Sequence, residues 1–298
     1  MENSNSRRKA MKKIVGGAAS VALTGSLASR LNATDHNMGS ILKGKINHSV
    51  CRWCYGSIPL DDLCTSAKDI GLQSIELLNV DEFATVKKHG LSCAIVSSNT
   101  KDWGITKGWN KKEHHKGLEK WHKYLIDETA KAGFKNLICF SGNRDKDVND
   151  EQGMKTCAEG LKKIMSYAES KKVVLVMELL NSKVDHKDYM CDHTNWGVEL
   201  CKMIGSENFK LLYDIYHMQI MEGDVIRTIR ENQKYIAHYH TGGVPGRHEI
   251  DETQELYYPS IMNAIVETGF KGFVAQEFIP ARADKMASLK QGVTICDI

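Results

Sequence analysis

The sequence predicts an α/β protein folded as a single (β/α)8 barrel. Short apolar runs and amphipathic stretches alternate eight times along the chain, which is the order of strands and helices that a parallel barrel requires. Four of the later apolar runs end in a polar residue: Glu178, Asp214, His240 and Glu277. They are 36, 26 and 37 residues apart, enough for one strand, one helix and two loops at each step. A length of 298 residues accommodates one barrel of roughly 250 residues.

Residues 1–33 are interpreted as an export signal. A basic segment, Ser6-Arg-Arg-Lys-Ala-Met-Lys-Lys13, precedes a weakly apolar stretch at 14–23 and then small and polar residues, which is the order typical of such signals. Arg7 and Arg8 resemble the twin-arginine type, although Ala10 stands where a strongly apolar residue is usual. The apolar stretch is too short for a membrane anchor. We therefore expect a periplasmic protein with a linker at 34–45 and a catalytic barrel at 46–298.

Charge and cysteine content limit the function classes. The whole chain carries a net charge of +3, and removal of residues 1–33 leaves 34 basic against 36 acidic residues, or −2. This balance provides no general attraction to nucleic acid. All nine cysteines follow residue 33, and an odd number cannot pair completely. Cys51 and Cys54 form a CxxC pattern, but residues three apart on a strand point to opposite faces, which disfavours a shared zinc ion or disulfide.

The elements are predicted from periodicity and from turn residues. Strands are expected at 48–54, 73–78, 91–97, 135–141, 173–178, 209–214, 235–241 and 272–277. Helices are expected at 60–71, 82–89, 111–133, 153–171, 195–205, 222–232, 257–268 and 281–292. Glycines stand where five of the helices should end, at Gly71, Gly90, Gly133, Gly205 and Gly269. The long loops, 98–111, 181–194 and 241–257, follow strands at the rim where barrel enzymes carry their active sites.

The four strand-end residues predict a metal site. Two Glu, one Asp and one His form an oxygen-rich set that suits one divalent ion, Mg or Mn, with Co as a third candidate. The alternative is that backbone donors satisfy each acid separately, but convergence of all four favours a cation, because an unpaired buried carboxylate is costly. His238 is interpreted as a packed histidine or as a group supporting the ligands.

Other polar residues are interpreted as structural. His114, His115 and His122 lie on one predicted helix and are assigned to a solvated face. Arg52 and Trp53 end the first predicted strand, and the sequence leaves open whether they line the barrel mouth or pack in the core or at the rim. Cys51, Cys54, Cys93, Cys139 and Cys201 fall in apolar runs and are expected to be small buried residues.

Five segments resemble the hydroxypyruvate isomerase family, within the xylose isomerase-like barrels that also include tagatose-type 3-epimerases. They are Glu178-Leu-Leu-Asn181, Tyr213-Asp-Ile-Tyr-His-Met-Gln219, Glu222-Gly-Asp224, Val244-Pro-Gly-Arg-His-Glu249 and Glu277-Phe-Ile-Pro280. The likeness covers about residues 46 to 292. It implies one divalent metal on Glu178, Asp214, His240 and Glu277, with His217 and Arg247 on the substrate.

The resemblance also implies a reaction, the conversion of hydroxypyruvate to tartronate semialdehyde through an enediolate, with Glu178 and Glu277 as acid and base. Such chemistry requires a base near carbon and a cation near the developing charge. The isomerase pattern usually has Gln where His240 stands, whereas the epimerases have His at that position. Arg247 has the isomerase spacing from His240, and Val184 replaces a carboxylate common in epimerases.

Several alternatives remain open at the level of sequence. The same residues would serve a carbohydrate 3-epimerase or an inosose-type dehydratase. A DNA repair endonuclease on this barrel needs more histidines and a basic surface, which the charge of −2 disfavours. A non-catalytic periplasmic sugar-binding barrel is the alternative of another class. A small-molecule substrate is expected, without nucleic acid or a membrane anchor, and homo-oligomer formation is left open.

Overall fold

The computed structural model describes residues 42–298. The predicted export signal and residues 34–41 of the predicted linker lie outside these residues. Within the described part, βα units follow one another from the first strand to the last helix. No helix among the described residues is both long and apolar enough to cross a membrane.

Seven regular strands of the described chain form one parallel sheet. They are β1 (Asn47–Cys51), β2 (Ser74–Glu76), β3 (Asn136–Cys139), β4 (Val174–Glu178), β5 (Phe209–Asp214), β6 (Ile236–Thr241) and β7 (Phe273–Gln276). Their order across the sheet is β2-β1-β7-β6-β5-β4-β3. All the strand pairs are parallel, as successive βα units require.

The segment 92–96 lies between the two edge strands and closes the barrel. The Leu77 amide donates to the Ile95 carbonyl at 2.8 Å, and the Val96 amide donates to the Asn136 carbonyl at 2.9 Å. Single bridges replace a continuous ladder, because the Ala94 amide donates to the hydroxyl of Ser74 instead of a strand carbonyl. The regular strand predicted at 91–97 is therefore wrong in form, although its position between the neighbouring strands is right.

Nine α-helices occur in the described residues. They are α1 (Leu60–Ile70), α2 (Phe83–Lys88), α3 (Lys112–Ala132), α4 (Asp150–Ser170), α5 (Thr194–Ile204), α6 (Ile215–Met221), α7 (Val225–Asn232), α8 (Tyr258–Glu267) and α9 (Lys285–Cys296). Gly133 and Gly205 end α3 and α5 with φ of +81° and +72°, a conformation that glycine adopts at little cost.

Two local predictions near the catalytic rim are wrong. The first strand ends at Cys51, and Arg52–Tyr55 form a 3-10 helix instead of continuing the predicted strand 48–54. After β5 the chain enters α6 at once, with Asp214 capping it by accepting a hydrogen bond from the His217 amide at 3.1 Å. No helix is predicted between the strand at 209–214 and the helix at 222–232, so α6 is missed at the level of sequence. The helix predicted at 222–232 is α7, which begins at Val225.

The solvated-face assignment for the histidines of α3 is also wrong. His115 and His122 are 4% and 1% exposed, respectively. They share the buried face of α3 with Leu118, because residues three, four and seven apart lie on one side of a helix. The ring of Trp109 packs across both histidines, with ring centroids 5.9 and 5.1 Å away.

Burial of His122 predicts acid sensitivity. Burial lowers the pKa of His122 to about 4, so the folded protein excludes a proton that the unfolded chain binds below about pH 6.5. This contribution to stability is present above pH 6.5 and is lost as pH falls toward 4, by about 3 kcal/mol in total. We expect His122→Phe to lose less unfolding free energy than the wild type between pH 6.5 and 4, measured by urea denaturation.

The change in slope separates titration from packing. His122→Gln packs differently from His122→Phe but is equally unable to titrate, so both variants should show the same flattened pH dependence whatever their absolute stability. A wild-type slope in both variants would contradict the assignment.

Candidate active site

Four strand-end side chains meet inside the barrel mouth. Glu178 and Asp214 are the last residues of β4 and β5, His240 is the penultimate residue of β6, and Glu277 directly follows β7. Their side chains are buried, and one potential ligand atom from each lies within 4.8 Å of the others. The sequence argument placed these residues on one rim, and the structure brings their side chains to one point.

His240 and Arg247 are the cationic or protonatable partners of these carboxylates. Nδ1 of His240 lies 2.6 Å from Glu277 Oε2, 3.6 Å from Glu178 Oε1 and 3.9 Å from Asp214 Oδ2. The guanidinium of Arg247 donates to Glu277 Oε2 at 2.6 Å and to Asp214 Oδ2 at 3.2 Å. The three carboxylates therefore surround Nδ1 of the His240 ring.

The charges at this point are unbalanced by the protein alone. Burial raises the pKa of Asp214 well above its usual range, although Arg247 opposes the shift. Burial and the Glu277 charge also raise the pKa of Glu178. Burial would raise the pKa of Glu277 too, but His240 and Arg247 hold it well below its usual value. Burial would lower the pKa of His240, but Cys51 and Glu277 raise it well above its usual value. Three buried carboxylates beside Arg247 thus call for further positive charge, either a proton on His240 or a bound cation.

Arg247 belongs to a short loop that aims it into the site. It has φ of +58°, and it follows Gly246 and a cis Val244–Pro245 peptide. Its guanidinium lies between the rings of Trp53 and Tyr216, 5.2 Å from each centroid. The side chain is 12% exposed, so the alternative of an exposed loop arginine is wrong.

His217 lies on α6 and is fully buried, which corrects the alternative of an ordinary loop histidine. The side-chain amide of Asn181 donates to its Nδ1 at 2.6 Å, so Nε2 carries the proton in the neutral ring. Nε2 faces the site 3.6 Å from Asp214 Oδ2. The geometry leaves this N–H available to an oxygen of a bound molecule.

A cavity of about 550 Å³ opens beside the four residues and is lined by two of them, Glu178 and Glu277, and by Arg247. Trp53 stands at its mouth, half-exposed, and its indole N–H donates to Glu277 Oε1 at 2.8 Å. Arg52 instead pairs with Glu82 at 3.3 Å, so only Trp53 of the two adopts the mouth-lining alternative. Apolar side chains line one part of the wall, among them Leu77, Ile138 and Phe140, and polar ones line another, among them Asn79, Ser97 and Asn99.

His186 and Glu76 are site residues that the sequence reasoning missed. His186 lines the cavity on the loop after β4, and its ring centroid is 5.2 Å from that of His217. The length of that loop was the one available signal. Glu76 lies below the site, with Oε1 2.8 Å from Nε2 of both His238 and His240. His238 therefore lies one layer beneath the ligands. This position agrees with its interpretation as a group supporting the ligands.

The cysteines are buried and unpaired. All nine, which lie between residues 51 and 296, are free thiols in the described chain. Cys51 ends β1, and Cys54 lies in the 3-10 helix that follows. The CxxC pair thus forms no disulfide.

Comparison with known proteins identifies the family. A family model described as a xylose isomerase-like TIM barrel matches residues 65–293. The chain belongs to this family. The predicted family resemblance and the barrel fold are thereby confirmed, and the seven-stranded parallel sheet with its closing segment is this chain's form of the barrel.

Curated relatives of this chain are named as isomerases. The chain is 27% identical over 241 residues to a 2-oxo-tetronate isomerase of Cupriavidus necator, covering 77% of this chain and 90% of that protein. It is 28% identical over 148 residues to a hydroxypyruvate isomerase of Escherichia coli, covering 50% of this chain and 57% of that protein. The second match thus spans little more than half of that relative. These names agree with the predicted isomerase class.

A solved structure supports the fold alone. The crystal structure titled AP endonuclease, family 2 from Brucella melitensis has a TM-score of 0.75 and 20% identity, covering 84% of this chain and 99% of that chain. Within residues 42–298, His240 is the one histidine in the clusters of ligand-type side chains close enough to share an ion. That ligand set has fewer histidines than a multi-zinc nuclease site requires.

The residues present fit a divalent metal. The donor set is three carboxylates and one imidazole nitrogen, all buried, and such a set suits hard or borderline divalent ions. The 2.6 Å contact between His240 Nδ1 and Glu277 Oε2 joins two acceptor atoms when the ring is neutral with its proton on Nε2. A proton or a cation must therefore lie between them.

Proposed function

We propose that the protein is a divalent-metal-dependent isomerase of a small α-hydroxy carbonyl compound, acting through an enediolate. The first candidate reaction converts hydroxypyruvate to tartronate semialdehyde. The observation that carries the proposal is the convergence of three buried carboxylates on His240, beside Arg247 and next to an open cavity.

The metal would be held by Glu178, Asp214, His240 and Glu277. Mg or Mn suits these donors best, with Co as a third candidate. When bound, it would supply positive charge to stabilise the negative oxygens of the enediolate. Arg247 contributes a further fixed positive charge at the same point, since it contacts Asp214 and Glu277.

Glu178 and Glu277 are proposed to move the proton. They project from β4 and from the end of β7, so they approach the site from different strands. One carboxylate removes a proton from C3 of hydroxypyruvate, a proton returns to C2, and the hydroxyl proton passes from the C3 oxygen to the C2 oxygen. No atom is gained or lost, and a positioned carboxylate is a suitable base for this step.

Arg247 and His217 are proposed to orient the substrate. The planar guanidinium of Arg247, stacked between Trp53 and Tyr216, can bind a substrate carboxylate with two parallel hydrogen bonds. The N–H of His217 Nε2 would donate to a substrate oxygen. Burial, together with the Arg247 charge, lowers the pKa of His217 well below its usual value, which keeps it a neutral donor.

The cavity favours a second candidate substrate, a longer 2-oxo acid with hydroxyl groups. Three carbons fill little of a 550 Å³ cavity, which lies in the size range of sites for drug-sized ligands. Asn79, Ser97 and Asn99 lie on its wall and would suit additional hydroxyls. The relative matched over 90% of its length is named for a four-carbon 2-oxo acid.

A substrate comparison tests the proposed function. The metal-loaded protein is assayed with hydroxypyruvate, a four-carbon 2-oxo sugar acid, ketohexoses and inosose. We expect the highest kcat/KM for one of the two acids, because Arg247 matches a carboxylate. Preference for a ketohexose or for inosose would indicate the epimerase or dehydratase alternative. Binding of sugars without turnover would indicate the non-catalytic barrel.

We also propose that residues 1–33 direct export after folding. Arg7 and Arg8 motivate this proposal, and folding around a cytosolic cation would allow metal selection by compartment instead of by affinity order. Replacing both arginines with lysine should leave full-length protein in the cytoplasm, measured by cell fractionation. A double change of Lys12 and Lys13 to Arg is the control. Unchanged periplasmic accumulation of the Arg7 and Arg8 variant would contradict the proposal.

A further inference from the structure

Glu76 is a buried carboxylate that lies outside the proposed ligand set. It is the last residue of β2, and its side chain is fully buried. Its Oε1 atom lies 2.8 Å from Nε2 of His240 and 2.8 Å from Nε2 of His238. A carboxylate at this depth costs several kcal/mol unless it is paired. Its contacts with these two rings offset part of that desolvation cost.

The contact spans the interior of the barrel. β1 and β7 separate β2 from β6 in the sheet, so Glu76 reaches across the barrel to the strand that carries both histidines. The two rings are nearly perpendicular, at 87°, with centroids 5.1 Å apart, and Nε2 of each lies 2.8 Å from the same oxygen. Of the two contacts, the one to His240 has hydrogen-bond geometry, with the carboxylate oxygen as the acceptor, whereas Nε2 of His238 has no hydrogen-bond partner in the described chain.

This acceptor determines which nitrogen of His240 carries a proton. A neutral imidazole has one N–H and one lone pair. The hydrogen bond to Glu76 requires the N–H at Nε2. The lone pair is then at Nδ1, the atom that faces Glu178, Asp214 and Glu277. Cys51 is a weaker neighbour, because its Sγ lies 3.7 Å from Nε2, against 2.8 Å for Glu76 Oε1.

We propose that Glu76 is the positioning residue for His240: it accepts the Nε2–H, holds the ring and directs the Nδ1 lone pair toward the metal position. This inference rests on the proposed metal dependence. Carboxylate partners of ligating histidines generally raise ligand basicity, and their loss typically weakens metal binding by 10- to 100-fold.

Mn²⁺ affinity of the full chain is the first measurement. We expect Glu76→Leu to weaken Mn²⁺ binding about 10- to 100-fold and Glu76→Gln to weaken it less, because an amide oxygen can still accept from Nε2. Gln276→Leu is the matched control: Gln276 is also fully buried and at a strand end, but it contacts Thr241 instead of His240. Far-UV circular dichroism and thermal melting verify that each variant folds.

Nitrogen-15 NMR of the histidine rings supplies a readout that a merely structural role would not move. Bound to Mg²⁺, wild-type His240 should show a protonated Nε2, with its signal assigned by its absence from His240→Asn. Glu76→Leu should reduce that Nε2–H population, whereas Gln276→Leu should not. His238→Asn should shift the same signal less, since the contact of His238 is with Glu76.

The outcomes distinguish this inference from the proposed function. Wild-type Mn²⁺ affinity in folded Glu76→Leu would overturn the inference and leave the metal site intact. If the wild type bound no Mn²⁺, the proposed metal dependence would fail, and Nε2 protonation of the metal-free protein would decide about Glu76. An Nε2–H present in the wild type and depleted in Glu76→Leu would support its positioning role, and an unprotonated Nε2 in the wild type would overturn it.

Discussion

Turnover is expected to fall by at least ~10²-fold when either Glu178 or Glu277 is replaced by Gln, which is the loss typical of a missing general base. Gln keeps the size of the side chain and one oxygen donor but cannot accept the substrate proton. Metal binding should weaken only modestly, because an amide oxygen can still ligate. The measurements are kcat on the best substrate and Mn²⁺ content by elemental analysis.

A matched change far from the site isolates this effect. Glu267→Gln removes an exposed carboxylate of α8 that pairs with Arg230 of α7. This change should leave turnover unchanged. Substrate deuterated at the reacting carbon should exchange with solvent only in the variant whose remaining glutamate removes that proton. Near wild-type turnover in both Gln variants, with metal bound, would exclude the two-glutamate mechanism in favour of a metal-bound hydroxide or a hydride shift.

The second large effect is expected from Asp214→Ala, which should abolish stoichiometric metal binding. The wild type should carry one Mg or Mn per chain and no structural zinc, because the donors are rich in oxygen and no cluster of potential ligands among the described residues contains both CxxC cysteines. The variant should keep its secondary structure, since the site lies above an apolar barrel core. Elemental analysis and far-UV circular dichroism measure the two properties.

Asp214 also caps α6, so the cap needs its own control. Asp214→Asn retains an oxygen that can accept from the His217 amide while removing the ligand charge. Asn149→Ala removes the cap of α4, where the side chain accepts from the Gln152 amide at 2.9 Å, and should cost about 1 kcal/mol without affecting metal. Two or more tightly bound zinc ions in the wild type would contradict the expected site and favour the nuclease alternative.

The positions of the candidate ligands follow from local order along the chain. Every βα unit returns the chain to the same end of the sheet, so acids and a histidine that close successive apolar runs must share one rim. For this reason the sequence alone predicts the barrel and the meeting of Glu178, Asp214, His240 and Glu277. The placement of Arg247 near them was implied by the family resemblance, since the residues by themselves left an exposed loop arginine open.

Other features depend on contacts that local order does not encode. The burial of His115 and His122 requires Trp109 to pack over α3, and helix periodicity alone does not identify which face a loop covers. Segment 92–96 closes the barrel irregularly because the Ala94 amide donates to the Ser74 hydroxyl. This side-chain acceptor replaces the backbone carbonyl that a regular strand pair would use. His186 enters the cavity only through the path of a long loop.

The sequence by itself determined the fold class, the catalytic rim and the ligand types, because strand and helix periods and strand-end residues are local properties. The tertiary structure alone decided that Glu76 reaches His240, since β2 and β6 lie 164 residues apart at these positions and are not neighbours in the sheet. Their contact arises from the closure of the barrel, which brings inward side chains of non-adjacent strands into one layer.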